Sequence, residues 1–502
     1  MNPVIETHSP RVRPLGSRAT SPSLRVLLLS SHLLSDRMLV FNELLPSLTA
    51  RANVRIWALS GAQRSFVQLC QAASRQVKTE EFPEIRPFPH YLNILRRVNE
   101  LVWDFRQRSP SRLSHLRHFR RKSNPSLYRL ISGPARVLAA LKAEQRLEDW
   151  LERRLLPYLR SPEAVERLRR DPPDVLLLTG PYQYHQPAIA AAGRALGIRT
   201  LAMIGSWDNV STKNRMVFKY DGYAVWSEQM RRDLHHFYPQ TRSVPVYVVG
   251  ALQFDVFHQV RFARTREQFC RSAGLSPDKP IILYSLGSPN LFREHHGALS
   301  LARRLRAGEL GDVQMLVRPH PAFEQRLVAT LLREFGPQVV VQHTGGGQRN
   351  AEAFFQDEPA IVEWVNSFRH ADVVVNMSST ATVDAALCDR PVVNLDYDPA
   401  PDGAQQEYVK EVNHRWTHFK PVAESGGVWL VQNPDEMVEA VRTYLRCPEL
   451  HRAQRRWIVQ HVCGFDDGHN GRRLAEAILD FAQHPHAGRA SNREGDRGYG
   501  DA

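Results

Sequence analysis

The stretch Ala371–Asp398, ADVVVNMSSTATVDAALCDRPVVNLDYD, limits the fold more than any other part of the chain. Asp372–Asn376 is a β-branched run without polar alternation, which reads as a strand buried on both faces. Met377-Ser378-Ser379-Thr380 ends it with small hydroxyl residues. Thr382–Leu387 has helical spacing, and Pro391–Leu395 reads as a second buried strand. A hydroxyl-rich turn that opens a helix at the carboxyl end of a strand presents N–H groups where the helix dipole is positive. Phosphate is held in this way in α/β proteins. An ordinary N-cap on a core helix has the same appearance in isolation, so the rest of the chain must weigh between them.

The same β/α alternation runs through two halves. Residues 1–23 are polar and read as a disordered tail. Arg25–Ser30 and Val54–Leu59 are predicted strands around a helix near Asp36–Leu48. A helical insertion at 90–160 follows. Strands resume at Asp174–Thr179, Thr200–Ile204, Tyr223–Trp226 and Val246–Val249, completing a first domain over 24–255. After a linker at 256–279 the pattern restarts at Ile281–Ser285, Gln314–Arg318 and Val339–Gln342, then continues through the opening segment to form a domain over 280–485. Residues 486–502 read as a second disordered tail. The expected fold is α/β, with two doubly wound, Rossmann-like domains facing a cleft.

Composition narrows the class. No stretch is apolar enough to span a bilayer. Val26–Leu34 follows a polar leader and is broken by Ser35-Asp36-Arg37, so it reads as a core strand rather than a signal peptide. Cys70, Cys270, Cys388, Cys447 and Cys463 form no paired framework, which suits a reducing cytoplasm and no structural zinc. Between His90 and Arg160 there are 16 Lys/Arg against 6 Asp/Glu, most of the chain's +14 surplus. Trp103, Phe105, Phe119, Tyr128, Trp150 and Tyr158 are interleaved with them. This pattern suits an anionic membrane surface. Arginines solvating one face of a packed insertion would give the same composition. No nucleic-acid module is visible.

Polar turns at strand ends supply the candidate site. In the second half, Gly287 lets backbone approach a ligand and Ser288 can donate a hydrogen bond. Arg318-Pro-His320-Pro holds a guanidinium and an imidazole at the rim, suited to a diphosphate and to phosphate or base. Ser378, Ser379 and Thr380 form the hydroxyl turn, and Asp384, a helical turn beyond, could accept from a ribose hydroxyl. In the first half, Trp207, Asp208 and Asn209 follow the strand Thr200–Ile204 at the cleft edge. Trp207 could stack on a sugar or lipid head, and Asp208 could accept from hydroxyls. His32, just past the first strand, and His185, in Gly180-Pro-Tyr-Gln-Tyr-His185, are the two candidate general bases.

The RPHP turn, ADVVVN with SSTATVDAAL, DRPVVNLDYD and the late Asp467-Gly-His-Asn-Gly-Arg472 run resemble the nucleotide-binding domain of GT-B-fold transferases. They are most similar to surface-polysaccharide glycosyltransferases and CDP-glycerol glycerophosphotransferases. Gly205-Ser-Trp-Asp-Asn209, Tyr223-Ala-Val-Trp-Ser227 and Val249–Asp255 extend the likeness into the first half, whereas the basic insertion shares no motif with the family. The resemblance implies that Ser378, Ser379 and Thr380 hold a donor diphosphate and that a base stands near His32. It further implies a glycosyltransferase using a nucleotide-sugar donor and a polysaccharide or lipid-linked acceptor. Such an enzyme would be cytoplasmic, peripheral on the inner membrane face, and without bound cofactor or metal. Asp396-Tyr-Asp398 matches a metal-holding DxD pattern of another transferase fold type but reads here as a polar strand end. Polyol-phosphate transfer from a CDP-activated donor is the first alternative. A non-hydrolysing UDP-sugar 2-epimerase, which shares the fold, is the second.

Overall fold

The computed structural model describes residues 24–484 except for 32, 60, 62, 86–88, 121–124, 143–145, 148, 151–152, 155–160, 183–184, 217, 289–290, 321–324 and 343–356. The expected tails at 1–23 and 486–502 lie outside these residues. Thirteen strands among the described residues form two wholly parallel sheets. The first holds β1 (Leu24–Ser30), β2 (Ala52–Ala58), β3 (Lys78–Glu81), β4 (Val175–Leu178), β5 (Arg199–Met203), β6 (Gly222–Val225) and β7 (Val246–Val248), in the order β3-β2-β1-β4-β5-β6-β7. The second holds β8 (Ile281–Ser285), β9 (Gln314–Arg318), β10 (Val339–Val341), β11 (Val373–Asn376), β12 (Val392–Leu395) and β13 (Trp429–Val431), ordered β10-β9-β8-β11-β12-β13. The central strands are buried along their whole length, as their unbroken apolar runs demand. The expected doubly wound α/β fold is what forms.

Both sheets reverse direction once, between β1 and β4 in the first and between β8 and β11 in the second. At such a switch point the two flanking loops diverge and leave a crevice at the carboxyl ends of the strands. The β8 turn at Gly287–Ser288 and the β11 turn at Ser378–Thr380 therefore border one crevice. The chain reading missed β3 and β13. Both are short edge strands, and β3 (Lys-Thr-Glu-Glu) carries no hydrophobic periodicity to detect.

The connection at 256–279 is well structured. It holds the 3-10 turns Leu252–His258 and Val260–Phe262 and the helix Arg266–Ala273, which opens on a Thr265/Gln268 capping box. The last helix, Asn470–Gln483, leaves the second sheet and returns to the first domain. Its Phe481 packs where Gly222 of β6 has no side chain: a Cβ there would sit 2.7 Å from the ring. The Arg199 guanidinium lies 3.9 Å from the centroid of the same ring. The 280–485 span therefore belongs to the second domain only up to this helix.

The basic insertion forms the helices His90–Gln107 and Pro125–Ala140, which pack around Leu101, Val102, Leu116, Ile131, Ala135 and Ala139. Trp103 is core: its ring stacks on Tyr238 at 5.5 Å. Phe105 is half-buried beneath Arg136. The side chains of Phe119 and Tyr158 lie outside the described residues. Membrane insertion by the interleaved aromatics is thus not available to Trp103.

Phe481→Ala removes a fully buried ring from the return helix and should lower unfolding free energy by about 3–5 kcal/mol. Denaturant unfolding followed by fluorescence checks this. The first domain should lose protection to hydrogen exchange before the second.

Candidate functional site

The crevice gathers charge from both domains. Arg37 projects from the helix Leu33–Val40, one turn past β1, and its guanidinium carbon lies 4.4 Å from the centroid of the Trp364 ring. Its Nη2 donates to Gln253 Oε1 at 3.3 Å. Arg318 closes β9 and donates through Nη1 to Gln342 Oε1. Both guanidiniums are buried. Burial lowers each to about 10, with the charge of Arg318 adding to the effect on Arg37 and that of Asp384 opposing it on both. His320, two residues past Arg318, is held below its ordinary value by burial and by that same guanidinium.

Asp384 balances this pair incompletely. Asp384, the candidate ribose acceptor, is buried, and one oxygen accepts from Trp364 Nε1 at 3.3 Å while the other has no partner. Burial pushes it up to about 7 against the pull of Trp364, Arg37 and Arg318. Near neutral pH the cluster thus holds two guanidiniums and a carboxyl only partly ionised. Glu363, which lowers the cost of charging Arg318, lies on the exposed side of the neighbouring helix. Buried charges are costly unless paired, and an entering anion would add to the compensation that Asp384 and Glu363 supply.

The hydroxyl turn is pinned by protein groups. Asn376 Oδ1 accepts from Ser379 Oγ and Thr382 Oγ1, both at 3.2 Å, and Asn394 Nδ2 donates to the Asn376 carbonyl. Ser378 Oγ donates to Asn413 Oδ1. Thr380 Oγ1 accepts from Trp207 Nε1 at 3.5 Å, so the two candidates meet across the cleft. The Trp207 ring is covered by His418 and Phe419, at 4.9 and 5.9 Å between centroids. Asn209 opens the helix Asn209–Thr212 directly behind it.

Asp208 accepts from the Ser206 hydroxyl and from Thr212 Oγ1. Burial pushes its pKa up, but His418, Lys213 and the two hydroxyls outweigh burial and hold it below the usual carboxylate range. A carboxylate so placed orients hydroxyls better than it takes protons. His418 itself is driven down to about 4 by burial, which Asp208 opposes only in part, so its ring is neutral. His185 opens the helix His185–Ala195 beside the first switch point, with its side chain outside the described residues. His32 lies outside the described residues altogether.

Arg37, His418 and Glu294 were not singled out from the sequence. Arg37 had a legible signal, since a basic residue one turn past the first strand of a doubly wound sheet faces the switch point. Glu294 had none. It precedes the helix His295–Arg306 and tucks under the β8 turn, where a Cβ on Gly287 would lie 2.7 Å from its Oε1. A side chain at Gly287 would push the Glu294 carboxyl aside. The N–H groups of Gly287 and Met377 point toward the Glu294 carboxyl, yet neither oxygen completes a hydrogen bond. Burial raises it to about 8, so it is a neutral acid at pH 7. Asp396 and Asp398 are taken up by protein donors: Lys410, His414, Asn413 and Gln432 on the first, Arg293 and the Gln405 N–H on the second. No cluster of metal-ligating side chains stands among the described residues.

Two switch-point sheets facing a cleft, closed by a last helix that returns to the first domain, define the GT-B architecture. Solved structures agree at the level of the fold. A UDP-GlcNAc 2-epimerase from Neisseria meningitidis, solved with UDP-GlcNAc, is similar with a TM-score of 0.51 at 12% identity, over 91% of this chain and 100% of that one. A putative UDP-N-acetylglucosamine 2-epimerase from Listeria monocytogenes gives 0.51 at 13%, over 93% and 98%. A glycosyltransferase from Rickettsia africae gives 0.50 at 10%, over 93% and 100%. None of these singles out the CDP-glycerol family. No protein-family model and no curated relative matches the chain.

Because Glu294 has a folded pKa above its ordinary 4.5, its ionisation opposes folding as pH rises from there toward about 8. Glu294→Gln should match wild-type stability near pH 4.5 and exceed it increasingly up to pH 8. Melting temperatures across that range, with a constant difference as the contrary result, check this.

Proposed function

We propose that the chain transfers a sugar from a nucleotide-diphosphate donor to a hydroxyl of a cell-surface polysaccharide or lipid-linked acceptor, working at the cytoplasmic face of a membrane. The observation that carries this reading is the pair of buried guanidiniums, Arg37 from one domain and Arg318 from the other, converging with Asp384 on one crevice. Planar, permanently charged forks suit a diphosphate, whose negative oxygens would complete the neutralisation that Asp384 leaves unfinished. The turns at Gly287–Ser288 and Ser378–Thr380 flank the second switch point, where a GT-B donor would lie. His320 and Asp384 stand beside the same crevice, suited to phosphate or ribose.

For the acceptor, a sugar hydroxyl is a weak nucleophile and needs a base with a pKa near ambient pH. His32 and His185 follow β1 and β4, the strands that flank the first switch point, and are the two assignments. Asp208 orients the acceptor, with Asn209 beside it, while Trp207, expected to stack on a ligand, has its ring buried under His418 and Phe419 and backs the turn instead. No metal is invoked, since arginine and backbone donors can stabilise a leaving diphosphate. The same cradle would take a CDP-activated polyol phosphate. A 2-epimerase is the second reading, favoured by two acids with raised pKa values, Asp384 at about 7 and Glu294 at about 8, beside the crevice.

A thermal-shift panel of nucleoside diphosphates separates the first two: stabilisation by UDP or GDP supports sugar transfer, by CDP polyol-phosphate transfer. Incubation with labelled nucleotide sugars and membrane extract then distinguishes transfer to an acceptor from epimerisation of the free donor. No stabilisation by any nucleotide would end this reading.

Arg318→Ala should weaken donor binding by about 1.5–3 kcal/mol in calorimetry, the usual cost of a lost hydrogen bond to a charged group. The fold should hold, since a buried charge is removed. Asp384 adds a pH signature. Its ionised form repels a diphosphate, so wild-type affinity should fall as pH rises through about 7. Asp384→Asn should flatten that profile. A profile unchanged by the substitution would place the diphosphate elsewhere.

A further inference from the structure

We propose that the outward face of the helix Pro125–Ala140, with the residues just after it, is a docking surface for an anionic lipid bilayer. The helix buries Ile131, Ala135 and Ala139 against its partner helix and turns Leu130, Val137 and Leu141 to solvent, 71%, 59% and 70% exposed. Gly133, Pro134 and Ala140 fill the same exposed side, so the outward stripe is apolar at helical spacing. An outward stripe on a soluble helix is normally polar. Arg129 and Arg136 are exposed beside it, and Lys142 follows with a left-handed φ of 53°. Residues 105–143 contain ten Lys or Arg and no Asp or Glu.

Charge and apolarity together choose the occupant. Nucleic acid would reward the cations but leave three aliphatic side chains with nothing to bury against. A second copy would set two cationic faces against each other. A bilayer containing anionic lipid satisfies both: aliphatic side chains enter the headgroup boundary while the guanidiniums meet phosphates. The docking residues are therefore aliphatic, whereas the aromatic Trp103 stays in the core.

The position matters for the site. The same insertion is fastened to the turn that follows Asp208, with Ser109 Oγ donating to the Ser211 carbonyl at 3.0 Å and Arg112 Nη1 to the Thr212 carbonyl at 3.1 Å. Arg112 is itself held by a two-pronged pair with Asp104 at 2.8 Å. Docking would hold the domain that carries Trp207–Asn209 at the membrane, favouring a lipid-borne acceptor. That last step rests on the transferase reading, while the docking does not.

Flotation of the full chain with phosphatidylcholine vesicles, with and without phosphatidylglycerol, tests the surface. Wild type should float with the anionic vesicles at low salt and not with the neutral ones. Arg129→Glu with Arg136→Glu should weaken this on the order of ten-fold or more. Leu130→Ser with Val137→Ser and Leu141→Ser should abolish the fraction that persists at high salt, where charge is screened. All five positions are exposed, and unchanged melting temperatures confirm folding. Equal binding to both vesicle types, negligible binding to either, or binding unchanged in both variants overturns the proposal. So does a self-associated state that the serine variant dissolves. Nucleotide thermal shift on the same samples is independent: its loss would sink the transferase reading and leave the docking result standing.

Discussion

The cleft depends on one buried carboxylate. Asp255 lies where the chain first crosses from the first domain toward the second. It accepts from the Gly471 N–H at 2.8 Å and the Asn470 side chain at 2.7 Å, where the chain crosses back. It thereby caps the helix that seals the first domain, and both crossings are tied at one point. Gly250 beside it has a φ of 86°, and a Cβ there would meet the Asn470 amide at 1.9 Å, so the clasp also fixes that glycine. The clasp helps hold Arg37 and Trp364, which belong to different domains, in a 4.4 Å stack.

With the domains so fixed, burial sets the electrostatics of the crevice. Arg37 and Arg318 cannot shed their charge, because even lowered to about 10 they stay protonated at neutral pH. The acids respond instead. Asp384 and Glu294 give up ionisation, while Asp208, surrounded by hydroxyls and facing His418, keeps it. The crevice thus keeps its two guanidiniums charged, and the turn at Asp208 carries a fixed anion. That polarity suits an anionic leaving group on one side and a hydroxyl to be oriented on the other.

The insertion joins these parts. Ser114 and Arg117 both reach Glu411 of the second domain, a carboxylate 3% exposed, while Ser109 and Arg112 hold the turn after Asp208 in the first. Its basic residues therefore fall into two groups. Arg112 is consumed within the first domain and Arg117 in bridging to the second, while Arg129 and Arg136 remain outside. Composition sees only their sum.

Sequence by itself determined the layered α/β plan, because unbroken apolar runs such as Val373–Asn376 can only be strands buried on both faces. It also determined which turns end those strands, and so Gly287, Arg318 and Ser378–Thr380 could be named. Of the edge strands, β3 stayed hidden for want of periodicity and β13 for its three-residue length, whereas β7 and β10 were legible. Tertiary structure alone decided the charge states, since desolvation is a property of what packs around a group. It made Asp384, which the sequence offered as a ribose acceptor, a buried and half-neutral acid. It also brought Arg37, His418 and Glu294 to the crevice from distant parts of the chain, and sent Trp103 to the core while leaving Leu130 outside. Which face of an amphipathic helix meets protein and which meets solvent is settled only by the neighbour it packs against.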